Sequence, residues 1–331
     1  MLRLVFDSRD ALAPEPRGWS RYARDLLDAL RSNNDVEVLA LSGGGPEIVW
    51  EQLGLPRRLR AARPDVVHAP SCFLPLWRPC AGVVTIHDLA FEVYPEDFAA
   101  KTRAKFRLIT PRAARSAECI VTVSAFTRDD VCSRYGVDPA KVRVVHNAPS
   151  LPIGTGDVPE GPYLLGVGDL RAKKNWARLV DAWLALRAGG LPHRLVIAGT
   201  GDGDALRERA RDAPLELPGY VEDADLDALM RGADLLVHPS LYEGFGIVVV
   251  EALARGIPVA AAAGTALPEA GGDAAVYFDP RSVDEIAASI LEALGRREEL
   301  AALGRARAAE LSWERSAALT VEAYQAAVAA R

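Results

Sequence analysis

Asp234-Leu235-Leu236-Val237-His238-Pro239-Ser240-Leu241-Tyr242-Glu243-Gly244-Phe245-Gly246-Ile247-Val248-Val249-Val250-Glu251 is the stretch that decides the fold class. It opens with a short apolar strand ending at His238, passes through a loop with two glycines, and enters a helix near Gly246. Ile247–Val250 is apolar on every side, so that first turn has no polar face and must be buried. A short, almost wholly apolar strand followed by a buried helix is the unit of a parallel sheet covered on both faces.

The same unit recurs in both directions. Toward the N-terminus, strands are expected at Leu2–Asp7, Val36–Leu41, Asp65–Ala69, Gly82–His87, Cys119–Ser124 and Val142–His146. Beyond them come Tyr163–Val167, Arg194–Gly199, Leu215–Pro218, Asp234–His238, Ile257–Ala261 and Ala274–Phe278, with helical patterns between. Six and six predict an α/β chain of two Rossmann-like, doubly wound parallel-sheet domains. The join is the stretch from His146 to Pro162, where Pro149, Pro152, Pro159 and Pro162 alternate with glycines and resist both helix and strand. The expected domains are residues 1–150 and 151–312. The tail 313–331 reads as an Ala-rich helix capped by Ser312, with no strand after it, crossing back to the first domain.

Composition agrees with two domains: 331 residues, half of them hydrophobic and a quarter charged, exclude a disordered or fibrous chain. The net charge of −6 argues against a nucleic-acid binder. Four cysteines without CxxC spacing read as reduced core thiols. No leader pattern opens the chain, and no apolar run approaches the roughly 20 residues of a membrane span. A cytoplasmic location is expected, possible also at the inner face of the membrane. That addition rests on Ala99–Arg115, which carries six basic residues and no acid and could meet an anionic surface or acceptor. The plainer reading is a solvated helix.

In open parallel sheets, ligands bind beyond the carboxyl ends of the strands, so polar residues just after strands are the candidates. Glu251 sits within an apolar helix and needs a partner, either a ribose diol or a buried Arg. Free amides at the start of that helix, with close backbone approach at glycine, suit a diphosphate. Lys173 and Lys174 are two of only five lysines, and they follow a strand in Gly166-Val167-Gly168-Asp169-Leu170-Arg171-Ala172-Lys173-Lys174-Asn175. His87 ends a strand in Thr85-Ile86-His87-Asp88, and His68 ends another. Gly18-Trp19-Ser20-Arg21-Tyr22 opens a helix after the Pro-rich loop Ala11–Arg17, either as an anion-facing start or as a simple cap at Ser20. Gly199–Asp204 reads as a strand–helix junction rather than a metal site, and Asp225 and Asp227 as favouring a helix dipole.

Glu243 and Glu251, eight positions apart around Gly-Phe-Gly, resemble the signature of family-four retaining glycosyltransferases of the GT-B fold. The resemblance extends through Ala254–Ala260, Ala266–Ala275, Gly18–Tyr22, Thr85–Leu89, Thr122–Thr127 and Leu311–Arg315, nearly the whole chain. It implies two domains facing across a cleft and transfer of a hexose from a nucleotide diphosphate sugar, with retained configuration and no cofactor or obligatory metal. GDP-mannose is the favoured donor, and a glycan or lipid-linked acceptor is expected. The resemblance places Glu251 on the ribose, Gly246, Ile247 and Val248 on the phosphates beside Phe245, and Lys174 as their cation. Tyr220 and Val221 fall near the base, Gly18 in a donor-facing loop, His87 and Glu243 at the reacting sugar, and Asp88 and His68 on the acceptor side. Asp169 stands where many relatives carry arginine, and Arg171 is the candidate substitute. Alternatives are a catalytically silent sugar-nucleotide-binding partner, kept alive by Asp169, or an epimerase or phosphorylase on the same architecture.

Overall fold

The computed structural model describes residues 1–12 and 18–331. Pro14 and Pro16 of the expected Pro-rich loop lie outside the described residues. The chain forms two compact units: Met1–Ala148 together with Leu311–Arg331, and Pro149–Glu310.

Unit 1 is built on β1 (Leu2–Asp7), β2 (Val36–Leu41), β3 (Val66–Ala69), β4 (Ala81–Ile86), β5 (Cys119–Thr122) and β6 (Val142–Val144). All pairings are parallel, in the order β2-β1-β3-β4-β5-β6. Register sets Leu4 beside Val66 and Val66 beside Ala81. Because side chains alternate across a sheet, Val5, Val67, Val84 and Ile120 join one core with Leu59, Phe106, Ile109 and Val131. The opposite face carries His68 and Thr85, which meet Tyr22 of helix Trp19–Arg31 and Tyr324 of helix Trp313–Ala329. Ser312 caps that last helix by accepting from the Arg315 amide.

Unit 2 carries β7 (Tyr163–Val167), β8 (Arg194–Ala198), β9 (Leu215–Gly219), β10 (Leu235–His238), β11 (Val259–Ala262) and β12 (Ala275–Phe278). Their order is β12-β11-β10-β7-β8-β9, again wholly parallel. β11 begins later than its apolar run because Pro258 has no N–H to give the ladder, although its carbonyl still accepts from Leu236. The order of each sheet reverses once, between β1 and β3 in unit 1 and between β7 and β10 in unit 2. Such switch points are where doubly wound sheets open a crevice for a ligand.

Candidate functional site

At the switch point of unit 2, the loops leaving β7 and β10 are tied together. Leu241 N donates to Lys173 O at 2.8 Å, and Asn175 Nδ2 donates to the carbonyls of Pro239 (3.0 Å) and Pro280 (2.7 Å). The tie brings Lys174 Nζ to 2.6 Å from Glu243 Oε1, with both side chains largely buried. Lys174 folds back over Gly168, where a Cβ would lie 3.0 Å from its Cε, so glycine leaves the lysine its place. His238, at the end of β10, lies 3.2 Å from Glu243 Oε1 through Nε2. Burial lowers the His238 pKa, so its imidazole is neutral and Nε2–H donates to Glu243. Burial alone would raise the Glu243 carboxyl. The Lys174 and Lys173 cations and the His238 hydrogen bond outweigh it and hold the group well below the usual carboxylate range. Glu243 is therefore an acceptor at neutral pH, not an acid.

Three residues beyond Glu243, Gly246 caps helix Ile247–Ala254 at φ 97°, and a Cβ there would come 2.4 Å from Leu267 Cδ2. With no side-chain cap, the Ile247 and Val248 amides have no partner within their own helix, the arrangement that takes an anion, while the Val249 amide donates to Gly246 O at 2.9 Å. A cation, a carboxylate and a helix N-terminus thus meet at one sheet crevice.

The description Glycosyltransferase Family 4 matches residues 16–149, and Glycosyl transferases group 1 matches residues 155–309. O-antigen chain mannosyltransferase B of Escherichia coli is 32% identical over 327 residues, spanning 89% of this chain and 84% of that protein. The chain is a glycosyltransferase of family four. Glycogen synthase of Mycobacterium tuberculosis is 30% identical over 292 residues, 81% of this chain and 70% of its own length. Sucrose-phosphate synthase from Thermosynechococcus elongatus covers the whole of both chains with a TM-score of 0.74 at 20% identity, and the fold is GT-B.

In this glycosyltransferase Glu251 has the Arg partner that was one of its two readings. Oε2 receives Arg255 Nη1 at 3.0 Å, and Oε1 receives the amides of Ser150 (2.5 Å) and Leu151 (2.8 Å). Burial raises its pKa against these donors. A carboxylate offers about four acceptor positions, so three are filled and room remains for one hydroxyl rather than a diol's two. Arg255 continues to Asp227 Oδ1 at 2.9 Å and to the carbonyls of Leu151 and Pro152. Asp227 Oδ2 takes Arg231 Nε at 2.7 Å and the Gly154 amide at 2.9 Å. Asp227 is therefore not a dipole-facing surface acid. It is the buried centre of an alternating Glu251–Arg255–Asp227–Arg231 chain that straps residues 150–156 to unit 2. Burial would raise the Asp227 carboxyl, but its three donors hold it low. Sequence reasoning missed this role, and its only local trace is the i, i+4 spacing to Arg231.

The other candidates separate clearly. Asp169 accepts from Thr200 Oγ1 at 3.0 Å and lies 3.4 Å from Arg171 Nη2, so its charge is met beside it. Tyr220 and Val221 follow β9, and Tyr220 is exposed. Gly18, not Ser20, caps helix Trp19–Arg31, and Ser20 is buried in the first turn. His87 gives Nε2–H to Pro70 O at 2.7 Å, and burial lowers its pKa, so Nδ1 is the ring's acceptor atom. Asp88 Oδ1 accepts the Ala90 amide at 2.9 Å.

One expectation needs correction. His68 is fully buried, with Nδ1 2.7 Å from Tyr324 OH and Nε2 2.8 Å from Thr85 Oγ1, so both ring nitrogens are engaged inside the core and none faces an acceptor. On Ala99–Arg115, Lys101 and Arg112 stay exposed, and the other four basic residues have partners. Lys105 turns inward to Glu47 and Glu51, Arg107 pairs with Glu92, and Arg103 and Arg115 bond the carbonyls of Pro95 and Tyr135. Among the described residues no helix is long and apolar enough to cross a membrane.

Proposed function

We propose that the protein is a retaining, metal-independent hexosyltransferase that moves mannose from GDP-mannose to a glycan or lipid-linked acceptor. The observation that carries the reading is the Lys174–Glu243 pair beside the uncapped start of helix Ile247–Ala254, at the switch point of unit 2. A diphosphate has its cation and its amides there, and Phe245 beside them is buried. Ile247 and Val248 supply the amides, Tyr220 and Val221 flank the base, and Arg171 stands at the rim paired with Asp169. Glu251 takes one ribose hydroxyl on its remaining acceptor position. The choice of mannose leans on the Escherichia coli relative, which is named a mannosyltransferase. Asp169, on which the silent-partner reading rests, lies 3.4 Å from Arg171 and accepts from Thr200, which supports the enzyme over that reading, and the turnover test below decides between them.

In the reaction, an acceptor hydroxyl oxygen bonds to C1 of the sugar on the face from which the diphosphate departs. The C1–O bond to phosphate breaks, and the hydroxyl proton passes to the leaving diphosphate. Lys174 and the helix amides stabilise the charge that grows there, which is where electrostatic catalysis acts. Glu243 accepts from sugar hydroxyls and orients the ring.

The test is incubation with a panel of radiolabelled nucleotide sugars in excess chelator. Transfer or hydrolysis of GDP-mannose above the others is expected; binding without turnover of any donor defeats the proposal. Lys174→Ala should weaken GDP binding at least tenfold while guanosine binding changes little, and equal losses would remove the lysine from the diphosphate. Glu251→Ala should weaken guanosine itself, whereas unchanged affinity would leave Glu251 as a linker anchor alone.

A further inference from the structure

His238 is the one polar residue of β10, which reads Leu235-Leu236-Val237-His238, and it is 1% exposed. Its Nδ1 is buried with no hydrogen-bond partner among the described residues. A ring nitrogen left unpaired in a core is a cost that a hydrocarbon side chain would avoid. The use of the ring therefore lies at its other nitrogen. Nε2 is 3.2 Å from Glu243 Oε1. A carboxylate only accepts, so Nε2 carries the hydrogen, and Ser240 Oγ, 3.3 Å from the same nitrogen, shares it as a second acceptor. Glu243 Oε1 thus receives two donors of different kinds, the Lys174 ammonium at 2.6 Å and the His238 imidazole. Both fall on one oxygen, and Oε2 has no hydrogen-bond partner among the described residues. The loop that carries Glu243 is itself held, by Lys173 O on the Leu241 amide and by Asn175 Nδ2 on Pro239 O.

We infer that His238 is a positioning residue for sugar transfer: it anchors Glu243 by Oε1, leaves Oε2 as the oxygen that grips the donor sugar, and keeps that anchor when Lys174 is drawn to the diphosphate. In the reacting complex the Lys174 ammonium has two claimants, Glu243 and the diphosphate, and the diphosphate carries more charge. As negative charge grows on the leaving group, the lysine is pulled further toward it. A neutral imidazole N–H feels no comparable pull, and burial in β10 leaves its ring no other place to turn. The carboxylate therefore keeps one donor, and with it its orientation, through the step in which the lysine is most engaged elsewhere. Division of labour follows: Lys174 serves the phosphates and His238 serves the sugar through Glu243. This inference rests on the transfer reaction proposed above.

Steady-state kinetics on the full chain test this, with the nucleotide sugar that the parent turns over fastest as donor. His238→Leu should lower kcat by about tenfold or more. Affinity for the matching nucleoside diphosphate, which has no sugar, should stay within about threefold of the parent. His238→Gln, whose amide N–H reaches toward Oε1 in place of Nε2–H, should recover most of kcat. Parent-like kcat in His238→Leu, an equal loss in His238→Gln, or diphosphate affinity falling as far as kcat overturns the inference. A second measurement stands should His238→Leu fail to fold. Long-range proton–nitrogen correlation spectra of the five histidines, with His238 assigned by its absence in His238→Gln, should show a neutral Nε2–H ring whose Nε2 resonance moves in Glu243→Ala. An Nδ1–H ring, or a resonance that does not move, also overturns it. A parent that turns over no nucleotide sugar defeats the transfer reading instead, and the spectra then decide alone whether His238 holds Glu243.

Discussion

Arg255 shows how much one side chain can organise. Its guanidinium is 1% exposed and joins two buried carboxylates, Glu251 and Asp227, to two linker carbonyls. Removing one member of a buried ion pair strands the other charges, which typically costs about 3–5 kcal/mol. Arg255→Ala should lower unfolding stability by that order in chemical denaturation, and a loss under about 1 kcal/mol would show that the strap adds little. Glu51 adds one contribution to the pH dependence. Burial pushes its carboxyl up to about 8 against the pull of Lys105, and Oε2 has no partner. Between the ordinary carboxylate value of about 4.5 and 8, the folded chain keeps a proton that the unfolded chain releases. Its contribution to stability then falls as pH rises through that window, while His68, His87 and His238, lowered by burial, act the opposite way below about 6.5. Asp7, raised to about 6 mainly by burial, acts in the same direction as Glu51. Relative to the parent, Glu51→Gln should gain stability as pH rises from 5 to 8, and urea midpoints that run in parallel for both proteins would rule this out.

Among the elements, helix Trp313–Ala329 depends most on distant partners. Tyr324 is fully buried against His68, Ser316 Oγ bonds the His146 carbonyl at 2.7 Å, and Trp313 meets Tyr22 edge-on. Tyr324→Phe leaves the His68 ring without one partner, an unsatisfied buried group costing about 1–3 kcal/mol. Hydrogen exchange should speed in helix Trp313–Ala329 and in β3; unchanged protection in both would show that the hydrogen bond is dispensable. The helix itself was legible from Ser312 and its Ala-rich run, but the His68 role was not. A histidine ending a strand looks the same in sequence whether it faces a crevice or a core, and its partner lies 256 positions away. The twelve strands were legible because buried parallel strands are continuously apolar. Glu243, Gly246 and Lys174 were legible because glycine, charge and strand end fall within a few residues. Asp227 and His238 were not, since what defines them is the set of groups that the fold brings to them.

For the molecule as a whole, the chain leaves unit 1 at Ala148, builds unit 2 through Glu310, and returns at Leu311. The proline-rich linker was readable as a boundary, but its fastening to unit 2 was not, because Ser150 and Gly154 act through backbone amides that any residue carries. The returning segment buries Ala317, Val321, Ala323, Tyr324 and Ala327. A chain ending at Glu310 should keep the thermal transition of unit 2 and lose or sharply lower that of unit 1. A single unshifted transition would show that the terminal helix is peripheral to unit 1.

That return has a temporal side. On a ribosome, Leu311–Arg331 emerges only after all of Pro149–Glu310, so the first unit to be made is the last to be completed. At about 5–20 residues per second the wait is on the order of ten to thirty seconds. Through it, Tyr22, His68 and Thr85 lack the helix that covers them, and the nascent half-built unit is then at its most sticky, a natural client for chaperones.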